Sequence, residues 1–295
     1  MLTDTFFNFY KLTENIGIDQ GSEILIKMAE DKPLFLLDTG TSADDIWKRT
    51  DRFRECIELI DDAEVKKNLL NSIHFTAGIM PDRESIENRF NAVETLENTI
   101  NDFIDSNDEF SNKIAAIGPC GIDHDWESIE YEDTIHDYYD HSTIDDERNL
   151  FALQITLAKK FNLPVIVHSK NGFKDTIDVL KTLKWNKGII HGFSYSKSEL
   201  DFFLDLGWYI GFNGSVTYSG KDKLGDVNEM LDYIPKEQLV IETNSPYYAP
   251  VPLKTTVNNP SNIEYIYQYI ATKRNTTIRK LKESVDNNCR KLFGL

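Results

Sequence analysis

Short apolar runs alternate along the chain with longer stretches whose apolar positions recur every three to four residues. The runs predict strands at 2–8, 34–38, 73–77, 114–117, 165–168, 188–191, 208–211 and 239–242. Several follow a turn former: Pro33, Pro164 or the Asn186-Lys187-Gly188 turn. Leu34-Phe35-Leu36-Leu37 and Val165-Ile166-Val167 are apolar throughout rather than alternating, the pattern of a parallel strand covered on both faces. Between the strands lie helical stretches. From Glu147 to Phe161, Leu150, Leu153, Leu157 and Phe161 form one stripe. Ser196 with Glu199 reads as a capping box opening a helix that Gly207 stops. Thr276 or Thr277 opens a last helix over 278–292, closed by Gly294.

Eight strand–helix units in this length predict an α/β fold, a single (β/α)8 TIM barrel occupying residues 1–295 as one domain. An open doubly wound sheet is the alternative, but no glycine-rich turn follows the first strand. One segment interrupts the rhythm. Eleven acidic residues and a single base stand between Asp123 and Arg148, interleaved with Trp126, Tyr131, Tyr138 and Tyr139. This predicts an acidic, Tyr-rich loop insertion after strand 4, about 124–147, on the face where a barrel keeps its chemistry.

Composition adds limits. The chain has 32 basic and 49 acidic side chains and a net charge of −17, which disfavours a nucleic-acid coat or an anionic-membrane binder. No apolar run approaches a membrane span. Met1-Leu2-Thr3-Asp4-Thr5 does not read as a signal peptide. Three widely spaced cysteines, Cys56, Cys120 and Cys289, form no disulfide or zinc framework, and a reducing cytoplasm is the simplest expectation. Cys120, with no adjacent base, reads as a small buried hydrophobe.

A barrel places its chemistry at the carboxyl ends of the strands. Strand 5 ends in His168-Ser169-Lys170, strand 6 in His191-Gly192-Phe193-Ser194, and strand 8 in Glu242-Thr243-Asn244-Ser245-Pro246. Two histidines at matched ends of adjacent strands suit a borderline metal such as Zn²⁺. They do not by themselves name a reaction.

These stretches are similar to those of the TatD family of metal-dependent deoxyribonucleases. Leu163-Pro164-Val165-Ile166-Val167-His168-Ser169-Lys170 resembles the family's fifth strand. His191-Gly192-Phe193-Ser194 and the run Leu239-Val240-Ile241-Glu242-Thr243-Asn244-Ser245-Pro246-Tyr247-Tyr248-Ala249-Pro250 resemble its sixth and eighth. Thr39-Gly40-Thr41, Gly78-Ile79-Met80-Pro81, Ile117-Gly118-Pro119-Cys120-Gly121-Ile122-Asp123 and the closing Asn288-Cys289-Arg290-Lys291-Leu292-Phe293-Gly294 keep the family's order.

The resemblance implies hydrolysis of DNA phosphodiesters by two divalent metals, yet four of six ligand positions are substituted. Phe6 and Asn8 stand where the family has a His-x-His pair, Pro119 where it has a bridging glutamate, and Asn244 where it has its catalytic aspartate. Another family histidine is Met80 here. Phe6 has no donor atom, and Pro119 offers only a backbone carbonyl. Asn8 and Asn244 are weak ligands for transition metals, and an amide is no general base. His168 and His191 remain as residual ligands for Zn²⁺, Mg²⁺ or Mn²⁺, at reduced occupancy or with no metal at all. Glu242 reads as a supporting group rather than a catalytic acid. Lys170 stands at a family arginine position and pairs with phosphate, without the bidentate fork. Lys174, Lys254, Lys273, Arg274, Arg279, Lys280 and Lys282 are further cations, most of them on an ordinary helix face.

Three readings follow. The first is a barrel that has lost two-metal nuclease activity and works as a binding protein. The second is an active hydrolase with a one-metal site rebuilt from His168, His191 and a carboxylate near the insertion, which carries His124, His136 and His141 beside Asp123 and Asp125. The third is an interaction module that presents the acidic loop to a basic protein. DNA is the partner implied by the resemblance and disfavoured by the charge. No membrane partner is expected.

Overall fold

The computed structural model describes residues 2–30, 32–124, 141–218 and 227–295. Its strands are β1 (Asp4–Phe7), β2 (Leu36–Asp38), β3 (Ile73–Ala77), β4 (Ile114–Asp123), β5 (Val165–Lys170), β6 (Gly188–His191), β7 (Tyr209–Phe212) and β8 (Leu239–Ile241). They lie in one eight-stranded sheet in sequence order, each pairing in parallel with the next. The seam between β8 and β1 is closed just past the carboxyl end of β8. Asn244 N–H donates to Phe6 O at 2.8 Å, and Asn8 N–H donates to Ser245 O at 2.9 Å. The result is the (β/α)8 barrel that the alternation of strands and helices predicts.

Among the described residues the helices are α1 (Phe9–Ile16), α2 (Ile18–Glu30), α3 (Ile46–Glu58), α4 (Ala63–Ser72), α5 (Arg83–Glu87), α6 (Arg89–Asp105), α7 (His141–Phe161), α8 (Phe173–Leu183), α9 (Lys197–Asp205), α10 (Val227–Tyr233), α11 (Ile263–Lys273) and α12 (Ile278–Phe293). Their ends follow local chemistry. Glu199 accepts from the Ser196 N–H at 2.8 Å at the start of α9. Thr277, not Thr276, caps α12, and Gly294 ends it in the left-handed conformation. Burying the apolar stripes of these helices against the outside of the sheet supplies most of the fold's driving force. None of the described helices is long and apolar enough to cross a membrane.

Several strand boundaries differ from expectation, most by one or two residues, and two of the differences bear on the site. β1 stops at Phe7 because Asn8 turns to cap α1, its Oδ1 accepting from Lys11 N at 2.7 Å. β4 runs on to Asp123 instead of ending at Ile117. Its register slips between Ile117 and Cys120, and then Cys120, Gly121, Ile122 and Asp123 pair with Val167, His168, Ser169 and Lys170. Glycine and proline hide this extension in the sequence. Residues 141–147 of the expected insertion form the first turns of α7, while 125–140 lie outside the described residues.

Below the mouth on the β2–β3 side sits a buried ion cluster. Arg49 Nη1 meets Asp38 Oδ2 at 2.7 Å, and its Nε meets Asp45 Oδ1 at 2.8 Å. Its Nη2 donates to Thr76 O. Asp38 Oδ1 accepts from Phe9 N at 2.8 Å, so one guanidinium ties together β2, β3, α1 and α3. Burial pushes the Asp38 carboxyl up to about 6 despite its cationic partner.

Candidate functional site

The carboxyl ends of the strands open onto a cleft of about 760 Å³. Phe6, Asn8, Pro119, His168, Lys170, His191 and Asn244 all line it, together with Met80 and Lys254, whereas Asp123, His124, Lys174 and Glu242 are not among its described lining residues. The β5–β6 register sets His168 directly beside His191, with ring centroids 6.3 Å apart.

Each histidine is held by a carboxylate. His168 Nε2 lies 2.8 Å from Asp123 Oδ2. His191 Nδ1 lies 2.8 Å from Glu242 Oε1 without the alignment of a hydrogen bond, and the same Oε1 accepts from the Gly192 N–H at 2.8 Å. Glu242 is fully buried, and Gly211 makes room for it, since a Cβ there would come within 2.6 Å of Oε2. Glu242 therefore supports His191 from behind. Asp123 escapes the sequence reading as a partner of His168, although its parity gives a signal. Pro119, Gly121 and Asp123 alternate with the buried Cys120 and Ile122, and in an extended strand that parity brings them to one face.

The positions at which the resemblance expects metal ligands make packing and backbone contacts. The Phe6 ring stacks on His191, with centroids 3.5 Å apart and planes 11° from parallel. Asn8 Oδ1 is committed to its helix cap, and the backbones of Phe6, Asn8 and Asn244 close the barrel seam. Asn244 adopts a left-handed backbone, φ 54°, a conformation that asparagine tolerates better than most residues. Beneath Phe6, Asp4 accepts from Phe6 N at 3.2 Å and Thr243 N at 2.9 Å, and meets Thr243 Oγ1 at 2.6 Å. Burial pushes its carboxyl up to about 8.

At the start of the acidic segment His124 Nε2 lies 3.2 Å from Glu147 Oε2, and that neighbour raises its basicity. His136 lies outside the described residues, as does the side chain of His141. Among the described residues no three His, Cys, Asp or Glu side chains are gathered closely enough to hold a metal ion. Cys120 is fully buried, and burial pushes its thiol up, which suits a packing role. Two of the cations near the C-terminus are engaged. Arg274 donates to Leu231 O and Ile234 O, and Lys282 meets Asp286 at 2.5 Å. The rim is formed by Tyr218, Tyr247, Tyr248 and Lys254, of which motif reading passes over Tyr218, because it joins the others from a separate loop.

A closed parallel barrel with a histidine pair among the described cleft-lining residues at the strand ends defines an α/β-barrel protein with its candidate site at the carboxyl mouth. The chain belongs to the TatD related DNase family, whose model matches residues 18–294. It is 30% identical over 184 residues to the uncharacterized metal-dependent hydrolase YcfH of Escherichia coli, covering 62% of this chain and 63% of that protein. It is also 30% identical over 188 residues to the 3'-5' ssDNA/RNA exonuclease TatD of Pantoea ananatis, covering 62% of this chain and 66% of the relative. The match thus spans just under two thirds of these relatives' length. In structure it resembles YJJV, a TatD homolog from Escherichia coli, with a TM-score of 0.74 and 19% identity, over 100% of this chain and 98% of the other.

Proposed function

We propose that this TatD-family barrel has lost ordinary two-metal nuclease chemistry and uses its mouth as a binding cleft. The observation that carries the reading is the Phe6–His191 stack. A carbon ring lies against the face of one of the two remaining histidines, at the position where the family resemblance expects a metal-binding imidazole. The wider donor set points the same way. A two-metal site needs a bridging anion to hold its dications ~3.5–4 Å apart. Pro119 brings no side-chain donor to that position. Asn8 spends its side-chain oxygen on a helix N-terminus, and Asn244 brings a neutral amide in place of a carboxylate. The residues present do not fit two metals, and no hydrolytic step is assigned to them.

The test is hydrolysis of single-stranded DNA and RNA, the substrates in the names of relatives, with Mg²⁺, Mn²⁺ or Zn²⁺ added in turn. The expected rate is indistinguishable from a protein-free control. Robust cleavage that disappears in His168→Ala and His191→Ala would overturn the reading. It would favour instead a rebuilt site on those two histidines.

A further inference from the structure

We infer that the barrel carries a second ligand site at the end opposite the mouth, where a small polyol with a phosphate at each end lies along α12. It stands apart from the binding reading above, whose success or failure leaves it untouched.

The site follows from how α12 is laid. Asn288 Nδ2 donates to Leu239 O, at the first residue of β8, and Asp286 accepts from Thr3 Oγ1, just ahead of β1. Phe293 stacks on Phe35, just ahead of β2, with ring centroids 4.3 Å apart. The helix therefore crosses the amino ends of these strands, on the far side of the barrel from Asp123, where the acidic segment begins. Beside its buried stripe runs a polar one. Lys280, Ser284, Asn287 and Lys291 recur at four-, three- and four-residue steps and so share one side of the helix. That side borders a cavity of about 570 Å³, walled opposite by Lys236 and Glu237 ahead of β8 and by Arg274 and Thr276 in the turn before α12.

The first argument is charge. Among the described lining residues Lys236, Arg274, Lys280 and Lys291 stand against two carboxylates, Glu237 and Glu283, in a chain of net −17. Glu237 lies 3.8 Å from Lys236, and Glu283 lies 3.8 Å from Arg279, which is not among the lining residues. Lys280 and Lys291 enter no ion pair with the described residues. Arg274 is built in. Its Nη1 donates to Leu231 O at 2.6 Å and to Ile234 O at 2.9 Å, which braces the guanidinium against α10. Its Nε and Nη2 meet no acceptor among the described residues. A braced guanidinium with donors to spare suits an oxyanion.

The second argument is layout. Lys280 and Lys291 are eleven residues apart, about 16 Å along the helix axis. Arg274 stands at the Lys280 end, so that end offers two cations, a match for the double charge of a phosphate. Between the ends the wall is Ser284 and Asn287, with the Lys236 backbone pinned beside them: its carbonyl accepts from Ser284 Oγ at 2.9 Å and from Asn288 Nδ2 at 2.8 Å. The Lys236 ammonium has Glu237 next to it, so the middle is close to neutral. No aromatic side chain is among the described lining residues, and Leu281 is the one apolar side chain among them. A flat ring finds no partner here, whereas hydroxyl groups meet hydroxyl and amide side chains.

The experiment is calorimetric titration of the full chain at low ionic strength, with a chelator present, using fructose 1,6-bisphosphate, fructose 6-phosphate, pyrophosphate and the sugar diacid glucarate as probes. The bisphosphate is expected to bind with a Kd below ~1 mM and ~fivefold or more tightly than each of the other three. Lys280→Met and Lys291→Met should each weaken it ~fivefold with the melting temperature unchanged. No binding of the bisphosphate up to ~10 mM, equal or tighter binding of any other probe, or full affinity kept in both variants would overturn the inference. The chelator removes any metal held at the mouth, so metal-dependent cleavage, which would sink the binding reading, leaves this titration unaffected.

Discussion

Phe6 and Arg49 show how single side chains on this barrel exchange chemistry for packing. Phe6 presents a flat, donor-free ring to His191, and a stacked aromatic pair contributes about 0.5–1.5 kcal/mol beyond its buried area. Arg49 is almost wholly buried between Asp38 and Asp45. Arg49→Met would strand two buried carboxylates without their cation, and we expect a loss of about 3–5 kcal/mol, read from urea denaturation. A loss below about 1 kcal/mol would show that the cluster is not a structural hub. At this scale much of the site is legible in the sequence. His168 and His191 are found because strand ends announce their positions, and Phe6, Asn8, Pro119 and Asn244 because the resemblance to the TatD family marks their places. The Asp123–His168 pair is not, since it depends on how far β4 continues past Gly118 and Pro119. The Tyr218–Lys254 contact is not either, because its members come from loops 36 residues apart whose meeting no local pattern encodes.

Among the elements, the seam between β1 and β8 combines fold and site. The sheet ladder runs unbroken from β1 to β8, and closure falls to backbone bonds from Asn8 and Asn244 and to the Asp4–Thr243 contact. Asp4 titrates near 8 in the fold against an ordinary value of 3.8, so the folded state holds its proton more tightly than the unfolded chain. That contribution to stability is complete below pH 3.8 and is lost as pH rises through about 8. Asp4→Asn keeps the oxygen acceptor and puts an N–H toward Thr243 Oγ1, and it cannot ionise. Its melting temperature should therefore fall less than the parent's between about pH 4 and 8. Superimposable pH profiles of the two proteins would contradict this assignment. Strand order and the place of each strand are readable from apolar runs, because a parallel strand covered on both faces leaves an uninterrupted hydrophobic signature. β4 is under-read because its second half has glycines and a proline where ladder-forming residues are expected.

For the molecule as a whole, the acidity is unevenly distributed. The segment from Asp123 to Arg148 carries more than half of the net −17, while the cleft that it adjoins in sequence has no carboxylate among its described lining residues. Most of the excess negative charge belongs to one connection of the barrel, and the charged side chains among the described cleft-lining residues are lysines. The most direct test is zinc stoichiometry after loading and dialysis, measured by elemental analysis beside a Phe6→His/Asn8→His/Pro119→Glu/Asn244→Asp variant with the four positions restored. The parent should retain no zinc and gain no melting temperature, while the restored variant retains metal and is stabilised by it, as any ligand of the native state must stabilise. One or more equivalents of zinc held by the parent, with a rise in melting temperature lost in His168→Ala, would contradict the account.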